Sequence, residues 1–280
     1  MTSGARWFRY VALAAVALKL FVIMGVATAV IRGDSIDMDD LVPALSLFVL
    51  VSFLHMFLRL GWRRTLLFIA VVFTVCTASE SVGVLTGAVF GHYHYSAEVN
   101  PDKLFGLVPI GTISYWRFAL YGAYIFSLLV WPPDRRAGIR GAVRIILPAA
   151  AMVTALDLLI DPVEVARGTW VWEQEGYYFG IPLQNFFGWF LTATVALSLY
   201  LTLGRRWPER SRVEHLPLAQ HLPIWDVVSE AVVYALIAVG WSLYGPAVIG
   251  ILAMIPFIVT AIWRLRQQRS AAAGSSSGGS

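Results

Sequence analysis

The sequence is poor in charge. Asp, Glu, Lys and Arg make up 14% of its 280 residues, against roughly 25% in a soluble domain. Such a chain cannot cover its apolar surface against water, which excludes a soluble globular fold. Cysteine is nearly absent. Cys76 stands alone in an apolar run, so no intramolecular disulfide can form, and it reads as an inert core thiol. Histidine is scarce too. His55, His92, His94, His215 and His221 do not form the short spaced motifs of membrane di-iron enzymes, and the last two fall on the wrong face to join His92 and His94. No internal repeat is visible, which counts against the repeat-built transporter folds.

What is abundant is hydrocarbon. Hydrophobic residues make up 58% of the chain, and its mean hydropathy is +0.70. The expected fold is an all-α, polytopic integral membrane bundle, each span needing about 20 residues. Eight apolar segments can be drawn, at 7–31, 41–59, 65–90, 113–131, 141–161, 184–203, 224–244 and 247–264. Of the 21 basic residues, 16 fall in alternate connections: Arg6/Arg9, Arg59/Arg63/Arg64, Arg135/Arg136/Arg140/Arg144, Arg205/Arg206/Arg210/Arg212 and Arg264/Arg266/Arg269. The others hold Arg32, Lys103 and Arg167. By the positive-inside rule both termini are cytoplasmic. The net charge of +4 therefore reads as topology and contact with anionic headgroups, not as nucleic-acid binding. Residues 1–266 read as one transmembrane domain and 267–280 as a flexible low-complexity tail. The first segment is taken as retained, although Ala27-Thr28-Ala29 also suits a leader cleavage site.

Acids interrupt the apolar segments. Glu80 lies in the outer half of the third, on one helical face with Gly83 and Gly87, whose spacing suits a close-packed neighbouring helix. The segment exits into Gly-His-Tyr-His-Tyr (91–95), where alternation puts His92 and His94 on one side and Tyr93 and Tyr95 on the other. Arg117 opens the fourth segment and is a candidate partner for a buried carboxylate. Asp157 and Asp161 share one face at the outer end of the fifth, which Pro162 is expected to stop. Trp170, Trp172, Tyr177, Tyr178 and Trp189 follow, either as an interfacial belt or as an aromatic mouth for a long apolar substrate. Glu230, near Asp226 and Ser229, reads as structural and far in depth from Glu80. His55 reads as a packing residue. The aspartates at 34, 37, 39 and 40 read as a solvated loop rather than a cation site.

Topology thus brings Glu80, His92, His94, Arg117, Asp157, Asp161 and Asn185 to one membrane face. A carboxylic acid in an apolar span can serve as a general acid. Protonating a trisubstituted alkene gives a tertiary carbocation, which Tyr and Trp faces stabilise. A second carboxylate can activate the water that captures it. This inventory fits hydration of an isoprenoid double bond with no cofactor and no metal. A metal-dependent oxygenase or desaturase acting on an isoprenoid lipid, and a proton-coupled transporter of lipids or small molecules, are the alternatives.

Three stretches carry a resemblance: ESVGVLTGAVFGHYHY at 80–95, the Val108-Pro109 that leads to YWRF at 115–118, and DLLIDPVEVARGTWVWEQEGYYFGIPLQNFFGWF at 157–190. The sequence resembles the CruF-type carotenoid biosynthesis proteins, membrane carotenoid hydratases, most strongly over about 75–200. The resemblance implies addition of water to the terminal 1,2 double bond of an acyclic carotenoid ψ-end. Lycopene, γ-carotene and C50 precursors of bacterioruberin are the substrate types. It implies a bacterial or archaeal plasma membrane, with membrane lipids, the carotenoid and other enzymes of the pathway as partners. The residue roles rest on chemistry: Glu80 or Asp157 as proton donor, Asp161 or His92 orienting water, Arg117 and Asn185 positioning the acids. Tyr93, Tyr95, Trp170 and Trp172 would line the polyene entrance.

Overall fold

The computed structural model describes residues 3–132, 138–207, 211–213 and 217–277. Arg135, Arg136, Arg210 and His215 lie outside the described residues, as does the side chain of Arg6. The fold is an all-α polytopic bundle. Its helices are α1 (Ser3–Arg32), α2 (Val42–Leu60), α3 (Trp62–Thr86), α4 (Ile110–Val130), α5 (Gly138–Arg167), α6 (Leu183–Leu203), the short α7 (Pro217–Gln220), α8 (Leu222–Gly240) and α9 (Tyr244–Ser277). Among the described residues seven helices are long and apolar enough to cross a membrane, and the apolar stretch Ser46–Leu60 of α2 lies beside them. The protein is therefore a multi-pass membrane protein.

The middle of the bundle is α4. From Trp116 to Val130 every residue is buried, and α2, α3, α5, α8 and α9 all pack on it. One close approach depends on a missing side chain. A Cβ on Gly122 would meet Val227 at 2.3 Å and the Pro223 carbonyl at 2.7 Å, so glycine lets α8 lie against α4. At the end rich in arginine, Arg64 donates to the Trp207 carbonyl at 2.7 Å and to that of Gly204 at 2.8 Å, closing the 60s connection onto the 200s one.

The other end carries short strands. β1 (Tyr93–Tyr95) pairs antiparallel with β4 (Trp170–Trp172), Tyr93 opposite Trp172 and Tyr95 opposite Trp170. β2 (Lys103–Leu104) pairs with β3 (Val108–Pro109). The β1–β4 ribbon joins the exit of α3 to the exit of α5 and fixes these ends of both.

Several boundaries depart from the sequence expectation. Helix α3 ends at Thr86, not at 90, because Gly87 takes a left-handed φ of 67° and caps it. Gly83 does not face another helix. A Cβ there would meet Phe90 at 2.8 Å and Tyr93 at 3.2 Å, so the glycine admits the chain's own return. Pro162 does not stop α5, which continues to Arg167. Proline lacks the N–H that would bond the carbonyl four residues back, and here the Tyr178 hydroxyl donates to that Leu158 carbonyl at 2.8 Å instead. Helix α9 runs on to Ser277, past the residue 267 at which composition suggests a flexible tail.

A candidate active site at one end of the bundle

Glu80 reaches the site from the last two turns of α3 and is 3% exposed. Burying a carboxylate is costly unless it is hydrogen-bonded, and here three donors converge on it. The hydroxyls of Tyr93 and Tyr95 both donate to Oε2, the second at 2.8 Å, and the Trp116 indole donates to Oε1 at 2.7 Å. Strand alternation makes this possible: Tyr93 and Tyr95 turn inward while His94 faces out. Burial, then the neighbouring Glu80 carboxylate, pushes both phenols well above their usual pKa, so they stay protonated and donate.

Asp157 and Asp161 lie one turn apart on the same face of α5, 1% and 2% exposed. One donor serves both. Asn185 Nδ2, in the first turn of α6, lies 3.0 Å from Asp157 Oδ2 and also donates to Asp161 Oδ2. Asp157 Oδ1 is buried without a partner. Gly188 lets α6 come close: a Cβ there would meet the Val89 carbonyl at 2.5 Å. Tyr178, which bonds the Leu158 carbonyl beside the pair, has its hydroxyl pKa pushed up to about 12, first by burial and then by Asp157 and Asp161.

Two unequal cavities meet here. A recess of about 20 Å³ is lined by Glu80, Tyr93, Tyr95, Asp161 and Asn185 with Trp170, Trp172 and Trp189. That is room for about one water. A cavity of about 460 Å³ runs beside it between α2, α4, α5 and α8, lined by Phe48, Val49, Phe118 and Ile160 and by the polar groups of Tyr115, Glu164, Glu230 and Tyr234. Thr112, Trp170 and Trp189 belong to both walls.

Over residues 41–257 the sequence matches the family described as carotenoid biosynthesis protein. The chain belongs to that carotenoid biosynthesis family. The match spans α3 to α6 whole, and with them every acid of the recess. A bisanhydrobacterioruberin hydratase from Haloarcula japonica is 37% identical over 124 residues, 43% of this chain and 39% of that protein. The aligned part is thus well under half of the relative's length. No solved structure matches the chain.

In this carotenoid biosynthesis protein two of the expected site residues fall elsewhere. Arg117 does not meet the acids. It turns toward α2, where Nη1 donates to Ser52 at 3.1 Å and the guanidinium sits 3.9 Å from the Phe53 ring. A helix of 3.6 residues per turn sends Trp116, one position earlier, toward Glu80 and Arg117 away from it. His92 is exposed, like His94, and does not line the recess. His94 lies 3.8 Å from Glu173. Tyr93 and Tyr95 do line the recess, but by holding Glu80. Trp170 and Trp172 line this water-sized recess too, and Asn185 donates to both aspartates. Lys19 faces another helix, with Nζ 3.2 Å from Asp226, and His55 bonds Tyr121 at 2.7 Å. Arg167 pairs with Asp39 in the acidic loop.

Sequence reasoning missed Trp116, Glu164 and Tyr234. Glu164 accepts from Thr169 and, at 2.6 Å, from the Tyr234 hydroxyl. It follows Asp161 by three positions, but a helix assumed to end at Pro162 hid that spacing. Glu230 is not remote either: it shares the larger cavity with Glu164. Among the described residues no three His, Cys, Asp or Glu side chains converge as metal ligands.

Proposed function

We propose that the protein is a carotenoid hydratase that adds water across the terminal 1,2 double bond of an acyclic carotenoid ψ-end, giving a tertiary alcohol. The observation that carries this is the junction of a water-sized, acid-lined recess with a larger, largely apolar cavity. The end of a polyene lying in the larger cavity would bring its last double bond to Trp170 and Trp189, beside Asp161. The name of the Haloarcula japonica relative is consistent with this chemistry.

Asp161 lines the recess and Asp157 does not, so Asp161 is the donor. It protonates the less substituted alkene carbon, and the positive charge develops on the tertiary carbon. Asn185, which also bonds Asp157, holds its carboxyl in place. Water in the recess attacks the cation as Glu80, fixed by its three donors, accepts the water's proton through its hydrogen-bonded network. The proton returns to Asp161 when the cycle closes, so one alkene and one water give one alcohol. No oxidant or reductant enters the balance. The positive-inside pattern supports an extracytoplasmic site in a plasma membrane.

The test is product mass. The protein is expressed in one bacterium that accumulates lycopene and in another that accumulates a linear C50 carotenoid, and the extracts are separated and weighed. Gain of one water per reacting end with unchanged polyene absorption is the expected result. Gain of one oxygen would indicate the oxygenase class instead. Unaltered carotenoid beside correctly inserted protein would overturn the hydratase reading and reopen the transporter one.

A further inference from the structure

Between the two cavities stands Trp189. It is one turn beyond Asn185 on α6, and it is 6% exposed. One face is covered: the Trp116 indole stacks on it with ring centroids 3.8 Å apart and planes inclined by 19°. Tyr115 meets it edge-on at 6.5 Å. What remains open borders the recess and the larger cavity at once. Behind the stack, the Trp116 N–H is bonded to the Glu80 carboxylate. A hydrogen bond from an indole N–H to a carboxylate makes the ring system richer in electrons, and a ring's face is where a cation binds.

We propose that Trp189 is a catalytic residue whose indole face stabilises the tertiary carbocation, and that Trp116 is a positioning residue that fixes this face and couples it to Glu80. The proposal rests on the hydratase reading and adds the group that carries the charge between protonation and water capture. Asp161 delivers the proton on one side of Trp189 and the recess supplies water on the same side, so the cation forms against the ring and is captured there. No other Trp combines a place in both cavity walls with a stacked indole behind it among the described residues.

The experiment is site-specific replacement of Trp189 by tryptophans carrying one to four ring fluorines. Fluorine withdraws the ring's negative face and leaves its shape almost unchanged. Turnover to the alcohol falls stepwise with fluorine number, about tenfold over the series, which corresponds to about 1.4 kcal/mol. Apparent substrate affinity stays constant. Trp189→Phe retains part of the activity and Trp189→Leu loses it. Trp116→Phe, which keeps a ring but not the N–H, steepens the dependence on fluorination. A flat series with an active wild type overturns the role of Trp189 and leaves the hydratase reading standing. A wild type that adds no water to any carotenoid overturns that reading, and the proposal with it.

Discussion

Trp116 donates its indole N–H to Glu80 Oε1 at 2.7 Å, and the bond crosses from α4 to α3 inside the bundle. Trp116 is fully buried, and the other Glu80 oxygen is already taken by two tyrosines. In all three of these hydrogen bonds Glu80 is the acceptor.

Glu80→Gln puts an amide N–H₂ where donors already converge. With the N–H₂ toward Trp116 two donors face each other, and with it toward the tyrosines both hydroxyls lose the carboxylate acceptor and must turn to accept. Turnover falls by a factor of about 100 or more, while the protein still inserts and purifies as a single species. Carotenoid alcohol formed per mole of protein in membranes is the measurement.

Asp161→Asn and Asp157→Asn differ in severity. Asp161 borders the recess and Asp157 stands behind it, so the first abolishes hydration and the second leaves a residue of activity, about a tenfold to hundredfold loss. Asn185→Ala removes the shared donor and weakens both. Equal rates for all three variants and the wild type would remove the acid pair from the mechanism.

His92→Ala leaves turnover within about a factor of two. The side chain is exposed, its ring lies against Gly87, and it does not line the recess. Loss of activity in this variant, with β1 intact by limited proteolysis, would return His92 to the site.

Tyr178→Phe frees the Leu158 carbonyl inside α5, one turn before Pro162. An unpaired buried acceptor costs about 1–3 kcal/mol. The variant melts at a lower temperature than wild type in the same detergent, and the loss shows first as proteolysis near 157–167.

His221 precedes α8 and has its pKa lowered to about 4, first by burial, with Arg59 adding to it against a hydrogen bond that the imidazole donates to Gln268. The unfolded chain takes up this proton below about pH 6.5, whereas the folded chain takes it up only near 4. The sign is fixed by that order. Stability is full above about 6.5 and declines as pH falls to 4, by at most about 3 kcal/mol. His221→Gln flattens this part of a melting-temperature profile between pH 4 and 7.

The span pattern was legible because hydrocarbon leaves the chain few choices, and the arginine alternation gave the same orientation to every connection. The pairing of Asp157 with Asp161 was legible because four-residue spacing has a fixed meaning on a helix. Alternation likewise separated the tyrosines of 93–95 from the histidines. It did not say which side faced in, since that depends on where β4 lies, about 75 residues later. Arg117 was misassigned because charge complementarity suggested a partner that helix rotation denies it. Glu164 was hidden by a proline rule that a distant tyrosine hydroxyl overrides. The two cavities left no trace in spacing at all, because their walls come from α2, α3, α4, α5, α6 and α8 and the β1–β4 ribbon together.

The small size of the recess sets a limit on how the work is shared out in time. With space for about one water in the recess beside the larger cavity, a substrate with two reactive termini would have one terminus at the acids at any moment. On the hydratase reading, the half-processed molecule must leave, turn end for end in the bilayer and compete with fresh substrate for re-entry. On that same reading synthesis would be distributive. The mono-alcohol accumulates first, and its ratio to the diol is set by substrate supply rather than by the enzyme alone.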